Sequence, residues 1–163
     1  MSFDLVPLTG DRTNRYRQLT EQAAALVAGE PDRIANAANL SALLYHSLPE
    51  VNWAGFYFYD GHELVVGPFQ GKPACVRIPL GKGVCGTAAQ TRRTQLVPDV
   101  HAFPGHIACD ADSRSEIVVP LLLEDALIGV LDLDSPEPGR FDDTDRRALE
   151  TVAKIFTDSP AAC

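Results

Sequence analysis

Two near-continuous apolar runs, SEIVVPLLL over 115–123 and ALIGVLDLD over 126–134, stand only Glu124 and Asp125 apart. A two-residue connection reverses the chain on itself, so the runs form an antiparallel pair, and their apolar content puts the pair at the centre of a sheet. The chain before them has a different period. Over 13–28, Tyr16, Leu19, Ala23, Leu26 and Val27 recur at helical spacing, with Gly29 as the stop. A second helix is expected from near Pro31, through IANAANLSALLYHSL, to a break at Pro49. VNWAGFYFYD then shifts to aromatic and β-branched residues, and DGHE turns it into LVVGPF. ACVRIPL over 74–80 reads as a third strand, GVCGTAAQTRR over 83–93 as a short helix and TQLVPD as a short strand. After the paired runs, DSPEPGRF turns the chain into DDTDRRALETVAKIF, whose opening acids suit a helix N-terminus. The expected architecture is α+β: a central antiparallel sheet flanked by N-terminal and C-terminal helices. It forms one domain over 1–163, with a helical part at 13–48, sheet and loops at 51–134 and a closing helix at 142–158.

A chain of 163 residues with 45% apolar content can bury an ordinary core without disulfides. Its start, MSFDLVPLTGDRTNRY, lacks a charged and then apolar leader, and no apolar run approaches the roughly 20 residues that span a bilayer. A cytoplasmic protein without a membrane partner is therefore expected. The net charge of -8 argues against nucleic acid, whose phosphates are met by clustered Lys and Arg.

Of the four cysteines, Cys163 is the last residue, while Cys75, Cys85 and Cys109 sit in Gly/Pro-rich stretches that read as loops. Thiols on mobile loops can meet, form disulfides and part, which points to redox chemistry. Cys85 falls near the start of the short helix. Two readings stay open there: a thiolate favoured by helix N–H groups, or a packed first-turn residue. His101 and His106 add imidazoles, but nine residues separate Cys75 from Cys85 and twenty-three separate Cys85 from Cys109. That spacing lacks the close ligand pairs of a structural zinc site, and no metal is expected. Nucleophile-elbow, P-loop and dinucleotide fingerprints are missing as well. The stretch 100–114, with two His, one Cys and two Asp, is longer than a routine connection and is a candidate lid.

Carboxylates form a second constellation. Glu116 opens one apolar run, and Asp132 and Asp134 punctuate the end of the other. If the runs pair, the three acids converge at one end of the sheet, where they can bind an ammonium group, hold a proton or coordinate a hard cation. A strand-end turn decorated with acids is the plainer alternative. Trp53 and Tyr57, four apart on a strand, share a face, either as core or as the wall of a ligand site.

The segments NWAGFYFY, GPFQGKPACVRIPLGKGVCGTAAQT, DVHAFPGHIACDADSRSEIVVPL and IGVLDLDSP resemble the free methionine-(R)-sulfoxide reductases, stand-alone GAF-domain enzymes, over about residues 52–141. The resemblance implies that Cys109 attacks the sulfoxide sulfur and becomes a sulfenic acid, that Cys75 resolves it as a disulfide, and that Cys85 is an auxiliary or alternative resolver. It further implies that Glu116 and Asp134 polarise the S=O group, that Asp132 holds the substrate ammonium, and that Trp53 with Tyr57 faces the terminal methyl group. No bound cofactor is implied. Thioredoxin is the expected external reductant, and a homodimer is expected by analogy. Cys163 matches nothing in the family. Two other classes share parts of this pattern: a GAF module that binds a small ligand and signals, for which the chain leaves no room for an output domain, and a thiol redox sensor without turnover.

Overall fold

The computed structural model describes residues 3–107 and 110–160. Helix α1 (Arg12–Val27) is capped by Asp11, whose carboxylate accepts from the Asn14 N–H at 2.8 Å. Helix α2 (Arg33–Ser47) begins two residues after Pro31, because the Asp32 side chain accepts the Ala35 N–H and so takes the N-cap. Strands β1 (Trp53–Tyr59), β2 (Glu63–Gly71) and β3 (Arg77–Pro79) follow, then helix α3 (Gly83–Thr91) and strand β4 (Gln95–Val97). The stretch 100–114, read as a long connection, opens with a 3-10 turn, Val100–Ala102, which is capped by Asp99. Strands β5 (Ser115–Leu123) and β6 (Ala126–Ser135) and helix α4 (Asp143–Asp158) complete the described elements.

Glu124 and Asp125 both adopt left-handed φ, 50° and 67°, as a two-residue hairpin turn requires. The Arg92 side chain donates to the Asp125 carbonyl and braces this turn. All pairings are antiparallel, in the order β3-β2-β1-β6-β5-β4. The centre of the sheet is therefore the β1–β6 pair. Only half of the expected β5–β6 centre holds: β5 is displaced one place outward, because β1 takes the other side of β6. The third strand is also shorter than 74–80. Beyond Val65 and Val66 its partner β2 runs into Gly67-Pro68, and a proline has no N–H to extend the ladder, so Cys75 lies outside β3.

Strand alternation divides the sheet into two faces. Ala54, Phe56, Ile117, Val119, Leu131 and Leu133 turn toward Leu19, Leu40, Leu44, Leu149 and Phe156 of α1, α2 and α4. Trp53, Tyr57, Val118 and Val130 turn the other way, toward Val84, Cys85, Ala88 and Ala89 of α3. On the first face α1 and α4 are tied by Asp145. This carboxylate has no solvent exposure, yet it accepts from the Tyr16 hydroxyl, pairs with Arg12 at 2.6 Å and with Arg140 at 3.4 Å, and caps α4 with Asp142. A buried charge is tolerable when it is compensated this fully. Among the described residues no helix is long and apolar enough to cross a membrane.

Gly129 sits in β6 where any side chain would collide with the backbone carbonyl of Tyr57 on β1. Rigid backbone cannot yield as a flexible side chain can. Gly129→Ala is expected to part the central strand pair and lower stability by about 2–3 kcal/mol in chemical denaturation.

Candidate active site

Register brings the site together. Trp53 pairs with Asp134 across β1–β6, and Asp134 pairs with Glu116 across β6–β5, so the three form one row across the sheet. The next row on the same face is Gly55, Asp132 and Val118. The convergence of the acids that a hairpin would produce is present, and β1 adds the aromatic wall beside them. Trp53 stacks between Tyr57 and Phe69, with ring centroids 5.8 and 5.0 Å away. Gly55 leaves no side chain beside Asp132, and a methyl there would run into Phe69. Helix α3, the segment 72–74 and the residues His106, Ile107, Asp110 and Ser113 close over this floor to make a cleft.

Glu116 and Asp132 are buried and Asp134 is half-buried. Three carboxylates this close cannot all ionise away from water. Burial pushes the Glu116 carboxyl well above its ordinary range, and the charges of Asp132 and Asp134 push the same way. Asp134 is also driven well up, by burial and then by the charge of Asp132. Burial raises Asp132 too, but hydrogen bonds from Glu116, Cys85 and Asp134 oppose the rise, so Asp132 is the member that best keeps a negative charge. Buried oxygens of Asp132 and Asp134 (Oδ1 in each) have no hydrogen-bond partner among the described residues.

Of the two readings left open for Cys85, the packed first-turn residue is the one observed, and the thiol is not on a loop. It lies in the first turn of α3, 5% exposed, with Sγ 3.9 Å from Glu116 Oε1. The thiolate reading of this helix start is overturned: burial, then the charges of Asp132, Glu116 and Asp134, raise the Cys85 pKa well above normal, and three nearby acids outweigh a short helix terminus. Cys85 is a free thiol, whereas Cys75 is disulfide-bonded. The Tyr57 hydroxyl donates to the Cys75 carbonyl at 3.2 Å and Trp53 Nε1 to the Lys72 carbonyl at 3.1 Å, so the aromatic wall anchors the segment carrying Cys75. Burial raises the Tyr57 phenol, which stays protonated. Cys109 and Cys163 lie outside the described residues.

The structure adds residues that the sequence reading did not single out. Lys72 and Lys82 line the cleft, Lys72 in an ion pair with Asp112 at 2.8 Å. Their signal in the sequence was the repeated Gly-Lys pair at 71–72 and 81–82. Val84, Ile107 and Ile78 supply apolar lining, and Ser113 adds a buried hydroxyl. Gly83, at φ 62°, lets α3 approach Ile107, which a side chain there would press. His106 also lines the cleft, and burial lowers its pKa, whereas His101 pairs with it edge-on at the surface.

The GAF domain family model matches residues 32–157. A protein of Escherichia coli named free methionine-R-sulfoxide reductase is 55% identical over 146 residues, covering 89% of this chain and 88% of its own. The free methionine-R-sulfoxide reductase of Neisseria meningitidis, solved with its substrate, superposes with a TM-score of 0.92 at 46% identity, covering 96% of this chain and 94% of that one. The fRMsr of Staphylococcus aureus, also in complex with substrate, gives 0.87 at 52% identity, covering 96% and 100%. With the fold, the aromatic wall and the acid row in one arrangement, the chain belongs to the GAF-domain family of free methionine-R-sulfoxide reductases.

Proposed function

We propose that this protein reduces free methionine-(R)-sulfoxide to methionine through its cysteines. The observation that carries the reading is the row Trp53–Asp134–Glu116, with Asp132 beside it, facing the segment that holds a disulfide-bonded Cys75. The substrate has an ammonium group, a polar S=O group and a terminal methyl. Asp132, the acid that best stays ionised, suits the ammonium, and the Trp53 and Tyr57 rings suit the methyl. Glu116 and Asp134, kept protonated by burial, donate a hydrogen bond to the sulfoxide oxygen as its negative charge grows.

In the chemical step the Cys109 thiolate attacks the sulfoxide sulfur. The oxygen is protonated and ends on the Cys109 sulfur as a sulfenic acid, while methionine leaves. The Cys75 thiol then displaces that oxygen as water and forms the Cys75–Cys109 disulfide, so two thiols are oxidised for each sulfoxide reduced. A thioredoxin-type dithiol restores both thiols, and no bound cofactor takes part. Cys85, a protonated thiol, is left an auxiliary role. The same reading places the protein in the cytoplasm, where such reductants work, and as a homodimer.

The test is NADPH consumption coupled through thioredoxin and its reductase, with the separated R and S epimers of free methionine sulfoxide and a peptide-bound form. Turnover with the free R epimer alone is expected. No turnover with any form, while the thiols still oxidise with peroxide, would replace this reading with that of a redox sensor.

A further inference from the structure

The spacing of cysteines and histidines gave no zinc site, but folding creates a different donor set. Ligand atoms of Cys85, Glu116 and Asp132 all lie within 4.8 Å of one another, and all three residues are buried. A buried cluster of acids also serves to hold protons, but unsatisfied carboxylate oxygens within it point to a further ligand. Asp132, 5% exposed, keeps its Oδ1 buried without a hydrogen-bond partner among the described residues, although it stands among groups that can donate. Asp134, cross-strand from Glu116, has a buried oxygen in the same condition.

We propose that Cys85, Glu116 and Asp132 form a binding site for a divalent cation of the zinc class, which occupies the cleft in competition with the substrate. One thiolate with carboxylates selects a borderline-soft ion over magnesium or calcium, which take oxygen ligands alone. Tetrahedral zinc with sulfur at about 2.3 Å and oxygen at about 2.1 Å sets ligands roughly 3.5 Å apart. Cys85 Sγ and Glu116 Oε1, 3.9 Å apart, need only a small side-chain adjustment to reach that spacing. Binding forms the metal–sulfur bond and releases the Cys85 thiol proton to solvent, with no change of oxidation state. The ion neutralises the charge that the proposed reaction offers to the substrate ammonium, so both cannot be present together. Only this competition rests on the proposed function; binding itself does not.

The probe is Co²⁺, followed by Zn²⁺, added to a variant in which Cys75, Cys109 and Cys163 are Ser, leaving Cys85 as the sole thiol. One equivalent of Co²⁺ should give a thiolate-to-cobalt charge-transfer band. Adding Cys85→Ser should remove the band, and Asp132→Asn should weaken Zn²⁺ binding at least as much as the roughly 10–100-fold cost of losing an outer-shell partner. Absence of the band, or unchanged affinity in Asp132→Asn, overturns the site. Because multiple serines could disturb folding, alkylation of Cys85 in the otherwise unaltered chain is followed by peptide mass spectrometry over long exposures, as its burial demands: Zn²⁺ should slow it about tenfold or more by tying the sulfur into a metal–sulfur bond, and an unaffected rate also overturns the site. Free methionine-(R)-sulfoxide should displace the cobalt. If the metal binds, methionine sulfoxide does not displace it, and the unaltered chain does not turn methionine sulfoxide over, the functional reading has failed and the site stands.

Discussion

Cys75→Ser yields a protein that releases about one methionine per chain and then stalls, whereas Cys109→Ser releases none. In the first variant the attacking thiol is intact, so one sulfoxide is consumed and the oxygen remains on Cys109 as a sulfenic acid. Cys85 is the thiol that could rescue it, but it is buried beside Glu116 and its pKa is raised well above normal by burial and three acids. A protonated thiol is a poor nucleophile. Thioredoxin-coupled turnover of Cys75→Ser should therefore fall by about a hundredfold or more while the first-turnover rate is preserved, the separation that single-turnover kinetics makes. Rapid quench with methionine quantified by mass spectrometry reads both numbers. Undiminished multiple turnover would remove Cys75 as the resolving residue.

Glu116→Gln loses activity and gains stability. The amide keeps the size of the acid but cannot supply its proton, so kcat should fall by about 10²–10⁴-fold. Stability moves the other way. Burial, with the charges of Asp132 and Asp134, holds the folded-state pKa of Glu116 above its unfolded value. Such a group contributes its full stability below the unfolded pKa, near 4.3, and loses it as pH rises toward the folded value. Each pH unit spanned by the shift is worth about 1.4 kcal/mol. Asp134 is raised for the same reason and adds to the slope, while Asp142, lowered by its hydrogen bonds with Arg12, acts in the opposite sense on the acid side. Wild-type stability should thus decline as pH rises from about 5, and Glu116→Gln should flatten that decline, with a melting temperature higher by about 2–4 °C per kcal/mol recovered. Thermal unfolding of the reduced proteins across this range, in buffer with a chelator, checks it. A variant less stable than wild type at pH 8 would show that Glu116 is held as a paired anion and is no proton donor.

Local pattern made much of this architecture readable. The change from helical to two-residue period separates α1 and α2 from the strands, and Glu124-Asp125 between two apolar runs marks the β5–β6 hairpin. Once that hairpin is granted, the meeting of Glu116 with Asp132 and Asp134 follows from alternation alone. The extent of β3 was less readable, because the ladder ends where its partner β2 lacks a donor, a property of another segment. So was the start of α2, where Asp32 offered a better cap than Pro31 a first turn.

By itself the sequence determined the elements, the faces their side chains take and the chemical groups on hand, because backbone sterics and strand alternation act over a few residues. Only the tertiary structure decided which groups share an environment. The β1–β6 pairing set Trp53 beside Asp134 and pushed β5 off the centre, and the docking of α3 on this face buried Cys85 against Glu116. The proton distribution came with it, since a pKa depends on desolvation and on charges a few ångströms away that are remote along the chain. A cysteine for which the sequence left two readings thereby became a buried, protonated one, and three acids legible as a cluster became a set whose carboxyl groups are all pushed upward by burial.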